Sequence, residues 1–327
     1  MHYRRFQQVD ISEIGLGTWQ LGSSDWGTIK EEDAFAILDA FTSAGGNFVD
    51  TADVYGMGVS EKFIGSFLKS TGREVYVGTK LGRRHDSSCG WPQNFSYDVM
   101  RRHIEASLEH LGLSQLFLEQ LHCIPTAELK SGQVFKHLRA FQEEGLIRHW
   151  GVSVETSDEA LLCLEQDGLS SLQVIFNLFR QHVADEFFAK AAEKGVAIIV
   201  RVPLASGLLT GKFTEDTKFQ ESDHRHYNAK GEAFNAGETF SGIDFHEGIK
   251  FSRQLAEILP QGNMPQAALR WILDHKEVTT VIPGASSVSQ ARSNLAASDM
   301  QPLKPGVHQQ LRQLYNDEIR PVIRGHY

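Results

Sequence analysis

Residues 48–58 read FVDTADVYGMG. An apolar run ends in an acid, Asp50. Five residues on comes a phenol, Tyr55, followed at once by Gly56 and then by Gly58. Read physically, this is a short buried strand running into a tight, glycine-permitted turn, with two titratable groups at its mouth. Whether such a mouth is strand-end packing or a place for chemistry depends on the sheet the strand belongs to.

The flanking sequence supplies that sheet. The first 13 residues read as a small hairpin. Eight candidate strands follow: IGLGTW (14–19), NFVDTA (47–52), VYVGTK (75–80), LFLEQLH (116–122), RHWGVS (148–153), LQVIFN (172–177), VAIIVR (196–201) and TTVIPG (279–284). Several are near-continuous apolar runs, the pattern of parallel strands buried on both faces. Helical periodicity fills the gaps. Phe35, Leu38 and Phe41 mark one face, Met100, Ile104, Leu108 and Leu111 a second, and Val134, Leu138 and Phe141 a third. Ser60 and Ser96 are expected N-caps, and Gly45 and Gly195 expected helix stops. Eight strands with regular crossovers predict a single (β/α)8 TIM barrel over residues 1–327. The alternative is an open doubly wound sheet. It asks for GxGxxG after the first strand, and Gly15, Gly17 and Gly22 have the wrong spacing. One segment breaks the rhythm. Residues 203–246 form a long polar, glycine-bearing loop after the seventh strand, read either as a substrate-covering loop or as a floppy insertion.

Composition narrows the function classes. Of the 327 residues 41% are hydrophobic, enough for a sizeable core, and 22% are charged. The net charge of −9 disfavours nucleic acid and anionic membranes as partners. Cys89, Cys123 and Cys163 form no CxxC pair and no disulfide framework, which points to a reducing, cytoplasmic setting. No signal peptide is visible in MHYRRFQQVD, and no apolar run is long enough to span a membrane. Oligomeric state has no signature in the chain.

The strand ends carry the chemistry. Asp50 closes the second candidate strand, Lys80 the third and His122 the fourth, with Tyr55 in the loop after Asp50. Barrel enzymes draw catalytic groups from the carboxyl ends of several strands. A phenol titrates near about 10, and a nearby ammonium pulls that value down. Lys80 can supply the ammonium, Asp50 can hold it charged, and His122 can orient a substrate carbonyl. Taken singly, Asp50 with Lys80 reads equally as a structural ion pair and His122 as a core histidine. An unrelated barrel lyase with Lys80 as Schiff base is a further possibility. No metal site is expected: His224 and His226 form an HxH without a third ligand. His103 and His110 read as solvated groups on a polar helix face.

The chain resembles the aldo-keto reductase superfamily. The resemblance rests on DTADVYGMGVSE (50–61), GTK (78–80), LHCIP (121–125), GVS (151–153), PLASGLLTGK (203–212) and VIPGASSVSQARSN (281–294). It implies a TIM barrel that binds a nicotinamide cofactor without a Rossmann fold. Tyr55 would be the proton donor, tuned by Lys80 and Asp50, with His122 placing the carbonyl. It implies cofactor contacts at Gly17, Thr18, Asp50, Ser153, Gln173, Arg201, Leu204, Ser206, Gly207, Lys212, Gly284, Ser286, Ser287, Gln290 and Asn294. Val154 stands where relatives often carry Asn, and Arg201 where they usually stack an aromatic ring on the nicotinamide. A cation there would favour the reduced cofactor. The serines at the start of the last strand's helix suit a 2′-phosphate, with Arg292 nearby, so NADP(H) is expected over NAD(H). Trp19 and Trp91 are expected to wall the substrate pocket. The expected activity is reduction of an aldehyde or ketone, or oxidation of the matching alcohol or sugar. The alternative is a redox-sensing regulatory subunit that turns over slowly.

Overall fold

The computed structural model describes residues 1–22, 29–85 and 90–325, so Cys89 lies outside the described residues. The expected hairpin forms from β1 (Tyr3–Phe6) and β2 (Val9–Ser12), antiparallel with Phe6 opposite Val9. The eight expected strands are β3 (Leu16–Gly17), β4 (Phe48–Asp50), β5 (Tyr76–Leu81), β6 (Leu116–His122), β7 (Ile147–Ser153), β8 (Leu169–Ile175), β9 (Ala197–Arg201) and β10 (Val278–Val281). Each pairs in parallel with the next in chain order. Parallel bridges from Ile14 to Val281 and from Gly17 to Gly284 close the circle into a TIM-like barrel. Closure leaves no open edge to aggregate.

The core follows the sequence pattern. Every residue of β6 is buried, including Glu119, Gln120 and His122, because helices cover one face and the packed barrel interior the other. The hairpin plugs the barrel floor: Phe6 and Ile11 pack with Phe48, Phe117, Ala197 and Ile199.

Three local expectations change. Ser60 lies inside helix Val59–Thr71, and its hydroxyl turns to Thr18 rather than capping. Ser96 occupies the N-cap position of helix Tyr97–Leu111, but its hydroxyl donates back to the Gln93 carbonyl. His103 and His110 are not solvated. His103 is buried 3.9 Å from Asp53, and His110 sits 2.9 Å from the buried Glu61. Helix Tyr97–Leu111 turns both inward, where the acids offer stronger partners than water. Gly45 and Gly195 end their helices at φ 92° and 66° as expected.

The loop after β9 is packed, with helical turns at Ala205–Thr210, His224–Tyr227, Ala236–Glu238 and Phe240–Gly242. It carries a small aromatic core of its own, with Phe213 and Phe219 5.5 Å apart and Phe240 and Phe245 5.1 Å apart between ring centroids. Contacts of this kind offset the ordering entropy that a polar segment of this length would otherwise leave uncompensated.

Candidate active site

Side chains alternate across a strand, so on β5 Lys80 faces the barrel interior while Thr79 faces the helices. Asp50, at the end of β4, reaches the same point from the neighbouring strand. The Lys80 ammonium contacts one Asp50 carboxylate oxygen and donates to the Thr51 carbonyl at 2.7 Å. Gln173 and Gln120 donate to the other Asp50 oxygen at 2.7 and 3.2 Å. The lysine and the acid are 1% and 2% exposed. Burial pulls the ammonium's pKa down, but Asp50 and the Tyr55 hydroxyl outweigh it and the net shift is upward. A permanently protonated amine is a poor nucleophile, which counts against a Schiff-base role for Lys80.

The turn after β4 delivers the phenol. Asp53 N–H donates to the Lys80 carbonyl at 3.1 Å and Tyr55 N–H to the Ala52 carbonyl at 3.1 Å. Gly56 then turns at φ 62°, and a Cβ there would stand 1.8 Å from the Gly22 carbonyl oxygen, so only glycine closes this turn. The Tyr55 hydroxyl ends 3.4 Å from Lys80 Nζ. Its ring is edge-on to His122 at 5.9 Å and stacked on Trp19 at 6.2 Å. The expectation that Lys80 lowers the phenol's pKa holds for that contact but not for the sum. Burial is the largest influence and raises it, Asp50 and Glu238 add to it, and the net shift is upward. Tyr55 is therefore held protonated, ready to donate.

His122 is 8% exposed, and its Nδ1 has no hydrogen-bond partner. Burial, helped by Arg83, Lys80 and Arg201, holds its pKa well below the ordinary histidine value. It is a neutral imidazole with one N–H to give.

Beside it lies a charged group only partly foreseen. Arg201, at the end of β9, pairs with Glu238 of the long loop at 2.5 Å and donates to the Val154 carbonyl at 3.1 Å. Arg83 pairs with Glu155 at 2.9 Å, and Asn235 donates to Glu155 at 3.1 Å. The cation expected at position 201 is thus paired with an acid. Cys123 Sγ and one oxygen each of Glu155 and Glu238 lie within 4.8 Å of one another. Both carboxylates already face guanidiniums, and burial pushes the thiol's pKa up. The trio is built for ion pairs rather than for a cation. Arg83 and Glu155 follow strand ends by two or three residues and could have been found by the rule that found Lys80. Glu238 lies in a loop with no periodicity to reveal it. His224, passed over as part of an HxH, is buried against Trp19 at 4.9 Å, whereas His226 is exposed. Phe234 completes this wall, 6.2 Å from Trp19. Trp91 is 51% exposed and donates to the Gly82 carbonyl at 2.6 Å, just past the end of β5, so it stands at the rim.

The remaining expected cofactor residues line the same end of the barrel. Gly17 and Gly284 are bridged, and a Cβ on Gly17 would meet the Ile282 carbonyl at 2.8 Å. Thr18 donates to the Asp50 carbonyl at 2.9 Å. Ser153 is buried at the end of β7, 3.4 Å from Cys123. Leu204 opens the turn that holds Ser206 and Gly207. The Ser206 hydroxyl is engaged by the long loop, donating to the Glu238 carbonyl at 3.0 Å and accepting from Phe240 N–H at 3.1 Å. Lys212 is exposed. Ser287 caps helix Val288–Leu295 by accepting from Gln290 N–H at 3.2 Å, and Asn294 donates to the Gly284 carbonyl at 3.1 Å. The Gln290 carboxamide oxygen accepts from Ser286 N–H at 2.8 Å and from its hydroxyl at 3.0 Å. An anion's oxygen fits the same two donors. The site fits a nucleotide cofactor: the buried Arg201 Nε–H has no partner, and the Ser286 N–H and hydroxyl form an anion-shaped cradle.

The profile of the Aldo/keto reductase family matches residues 13–316. The chain belongs to the aldo/keto reductase family. It is an oxidoreductase of that family, acting on carbonyl compounds. The NADH-specific methylglyoxal reductase of Escherichia coli (strain K12) is 28% identical over 88% of this chain and 90% of its own. The holo form of an aldo-keto reductase from Bacillus halodurans superposes with a TM-score of 0.77 at 25% identity, covering 98% of this chain and 99% of that one. An aldo/keto reductase from Klebsiella pneumoniae, solved with NADP and acetate, shares the fold with a TM-score of 0.68 at 23% identity and 98% coverage of both chains. Among the described residues no helix is long and apolar enough to cross a membrane.

Proposed function

We propose that this aldo/keto reductase reduces an aldehyde or ketone, or oxidises the matching alcohol or sugar, with NADP(H) and with Tyr55 as general acid and base. The observation that carries the reading is the Lys80 ammonium, joined to Asp50 and 3.4 Å from the Tyr55 hydroxyl, opposite the neutral His122. A bound reduced nicotinamide supplies hydride to the carbonyl carbon. His122 donates its N–H to the carbonyl oxygen and fixes its place. Tyr55 gives that oxygen its proton, and Lys80 stabilises the phenolate left behind. Asp50, held by Gln120 and Gln173, keeps Lys80 aimed. In the reverse direction the same phenolate takes the proton from the alcohol.

In this reading the whole chain acts as one domain, with the long loop covering the barrel mouth and Trp19 and Trp91 bounding the substrate. Ser286, Ser287, Gln290 and Arg292 receive the 2′-phosphate, while Ser206, Gly207 and Lys212 serve the diphosphate. The methylglyoxal reductase relative is NADH-specific and the Klebsiella protein binds NADP, so membership alone does not set the preference. The test is consumption of NADPH and NADH over a panel of aldehydes, ketones and sugars, beside fluorescence titration of both cofactors. Turnover with tighter NADPH binding is expected. Absence of turnover across the panel, with cofactor bound, would overturn the enzyme reading in favour of a slow redox-sensing subunit. Equal dissociation constants would remove the 2′-phosphate site.

A further inference from the structure

Behind the Lys80 strand, between the sheet and helices Val59–Thr71 and Tyr97–Leu111, lies a group of buried acids that the reaction does not use. Glu119 on β6 is in register with Thr79 on β5, on the side of the strand facing the helices. The Thr79 hydroxyl donates to Glu61 at 2.6 Å, and His110 Nδ1 meets the other Glu61 oxygen at 2.9 Å. Asp53 joins them from the turn that carries Tyr55, pinned through its N–H to the Lys80 carbonyl. Asp53 is 1% exposed, and Glu61 and Glu119 are 0% exposed. Glu61 has partners for both oxygens. All four carboxylate oxygens of Asp53 and Glu119 are buried, and none has a hydrogen-bond partner in the protein.

Such an arrangement does not tolerate three anions. A buried carboxylate without a donor gives up its hydration and gains nothing in return, whereas the neutral acid loses far less. The groups that face Asp53 are Glu61 on one helix, His103 on the other at 3.9 Å, Glu119 on β6, Lys80 on β5 and Arg84 just beyond it. Burial, then Glu61, raises Asp53, while Arg84 and Lys80 oppose them, and the result is a carboxyl pushed up to about 8. Burial, then Asp53 and Glu61, hold Glu119 well above the carboxylate range.

We propose that Asp53 is a positioning residue: as a neutral acid buried in the same layer as Glu61 and Glu119 it holds the Tyr55 turn down on the Lys80 strand, and its ionisation releases that turn. The proton leaves to solvent, and the new anion is repelled by Glu61 and draws water into the layer. The Tyr55 hydroxyl, two residues along the same turn, then loses its register with Lys80. Tyr55's own pKa is shifted upward from the ordinary phenol value, so its ionisation lies at higher pH and is separable.

The test compares wild type with Asp53→Asn, whose amide mimics the neutral acid, from about pH 6 to about pH 9.5. Three quantities are read: kcat/KM for carbonyl reduction, Tm, and the infrared C=O stretch of protonated carboxyls. Wild type is expected to lose kcat/KM with a midpoint near pH 8, about tenfold at one pH unit above it. Its Tm should fall as pH rises from 6 and level off above about pH 8, and a protonated-carboxyl band should vanish with a midpoint near pH 8. Asp53→Asn should hold its pH 6 activity within about twofold up to pH 9, with a flatter Tm and without the vanishing band. Superimposable profiles for the two proteins would overturn the proposal. So would a folded Asp53→Asn that is more than about tenfold slower at pH 6, since the amide should serve as the neutral acid does. The infrared spectrum of wild type decides the protonation even if the variant does not fold: Glu119 contributes a second protonated-carboxyl band, so a carboxyl stretch of unchanged intensity from pH 6 to pH 9.5 would also overturn the proposal. The kinetic arm rests on the reading of Tyr55 as acid. If no carbonyl is turned over by either protein, that reading fails, and Tm with the infrared band still decides Asp53.

Discussion

Lys80 divides its ammonium among the Asp50 carboxylate, the Thr51 carbonyl at 2.7 Å and the Tyr55 hydroxyl at 3.4 Å. Tyr55 is thus the loosest of its three contacts, and removing the hydroxyl leaves the Lys80–Asp50 pair intact. Tyr55→Phe should therefore fold normally, bind NADPH almost as wild type does, and lose about 10²–10⁴-fold in kcat. Steady-state assays with a fluorescence titration check this, and a normal kcat would remove Tyr55 from the acid role. Arg201 and Glu238 make a second residue-scale case. Paired at 2.5 Å they present little net charge, so wild type should show little of the redox bias that a lone cation would impose. Breaking the pair restores it with opposite signs. Glu238→Gln leaves the cation and should shift binding toward NADPH. Arg201→Met leaves the anion and should shift it toward NADP⁺. Each shift should be about fivefold in the ratio of dissociation constants, roughly 1 kcal/mol. Calorimetry on both redox forms measures the ratio, and shifts of the same sign in the two variants would mean that the pair does not face the ring.

At the scale of elements, the start of helix Val288–Leu295 combines a cap with the proposed 2′-phosphate site. Ser287 accepts from Gln290 N–H at 3.2 Å, and Ser286 gives both of its donors to the Gln290 side chain. Ser287→Ala should cost about 1 kcal/mol of stability as a lost N-cap. On the cofactor reading it should also weaken NADPH more than NADH, because the 2′-phosphate alone would meet this turn. Denaturant unfolding and paired titrations separate the two effects, and equal losses for both cofactors would leave Ser287 as a cap only. The long loop after β9 teaches a different lesson. Its polar composition left open a substrate-covering loop and a floppy insertion. The structure resolves this through phenylalanines spread over thirty-odd residues, Phe213 to Phe245, which meet only in three dimensions. No local pattern announces a cluster of that kind.

At the scale of the whole molecule, the barrel is plugged at one end and gathers Asp50, Tyr55, Lys80 and His122 at the other. Phe6 is fully buried against Phe117 and His149, at centroid distances of 5.3 and 5.5 Å. Phe6→Ala should cost about 3–5 kcal/mol in stability and leave KM for cofactor and substrate unchanged, because the cavity opens at the floor. A large change in KM with normal stability would contradict this separation. His149 adds a pH term at the same floor. Burial, with Arg148 nearby, lowers its pKa to about 4. Between the unfolded value near 6.5 and about 4 the unfolded chain binds more protons than the folded one. Stability should therefore fall as pH drops through that window. Thermal melts of wild type and His149→Gln check it, with the acid-side slope expected to shrink in the variant.

The sequence alone determined the barrel, because eight buried parallel strands and their helices each write a local period that burial enforces. It also placed Asp50, Tyr55, Lys80 and His122 at one mouth, since strand ends in a closed parallel sheet converge whatever the loops do. Gly56 belongs with them, as its positive φ is a requirement of the turn itself. The tertiary structure decided the rest. Ser60 looked like a cap until Thr18 drew its hydroxyl inward. His103 and His110 looked solvated until Asp53 and Glu61 faced them. Arg201 showed only its own charge until Glu238 met it from 37 residues along the chain. In each case the partner is distant in sequence. Hydrophobic period is a property of neighbours along the chain, whereas charge state depends on which groups burial brings together in space.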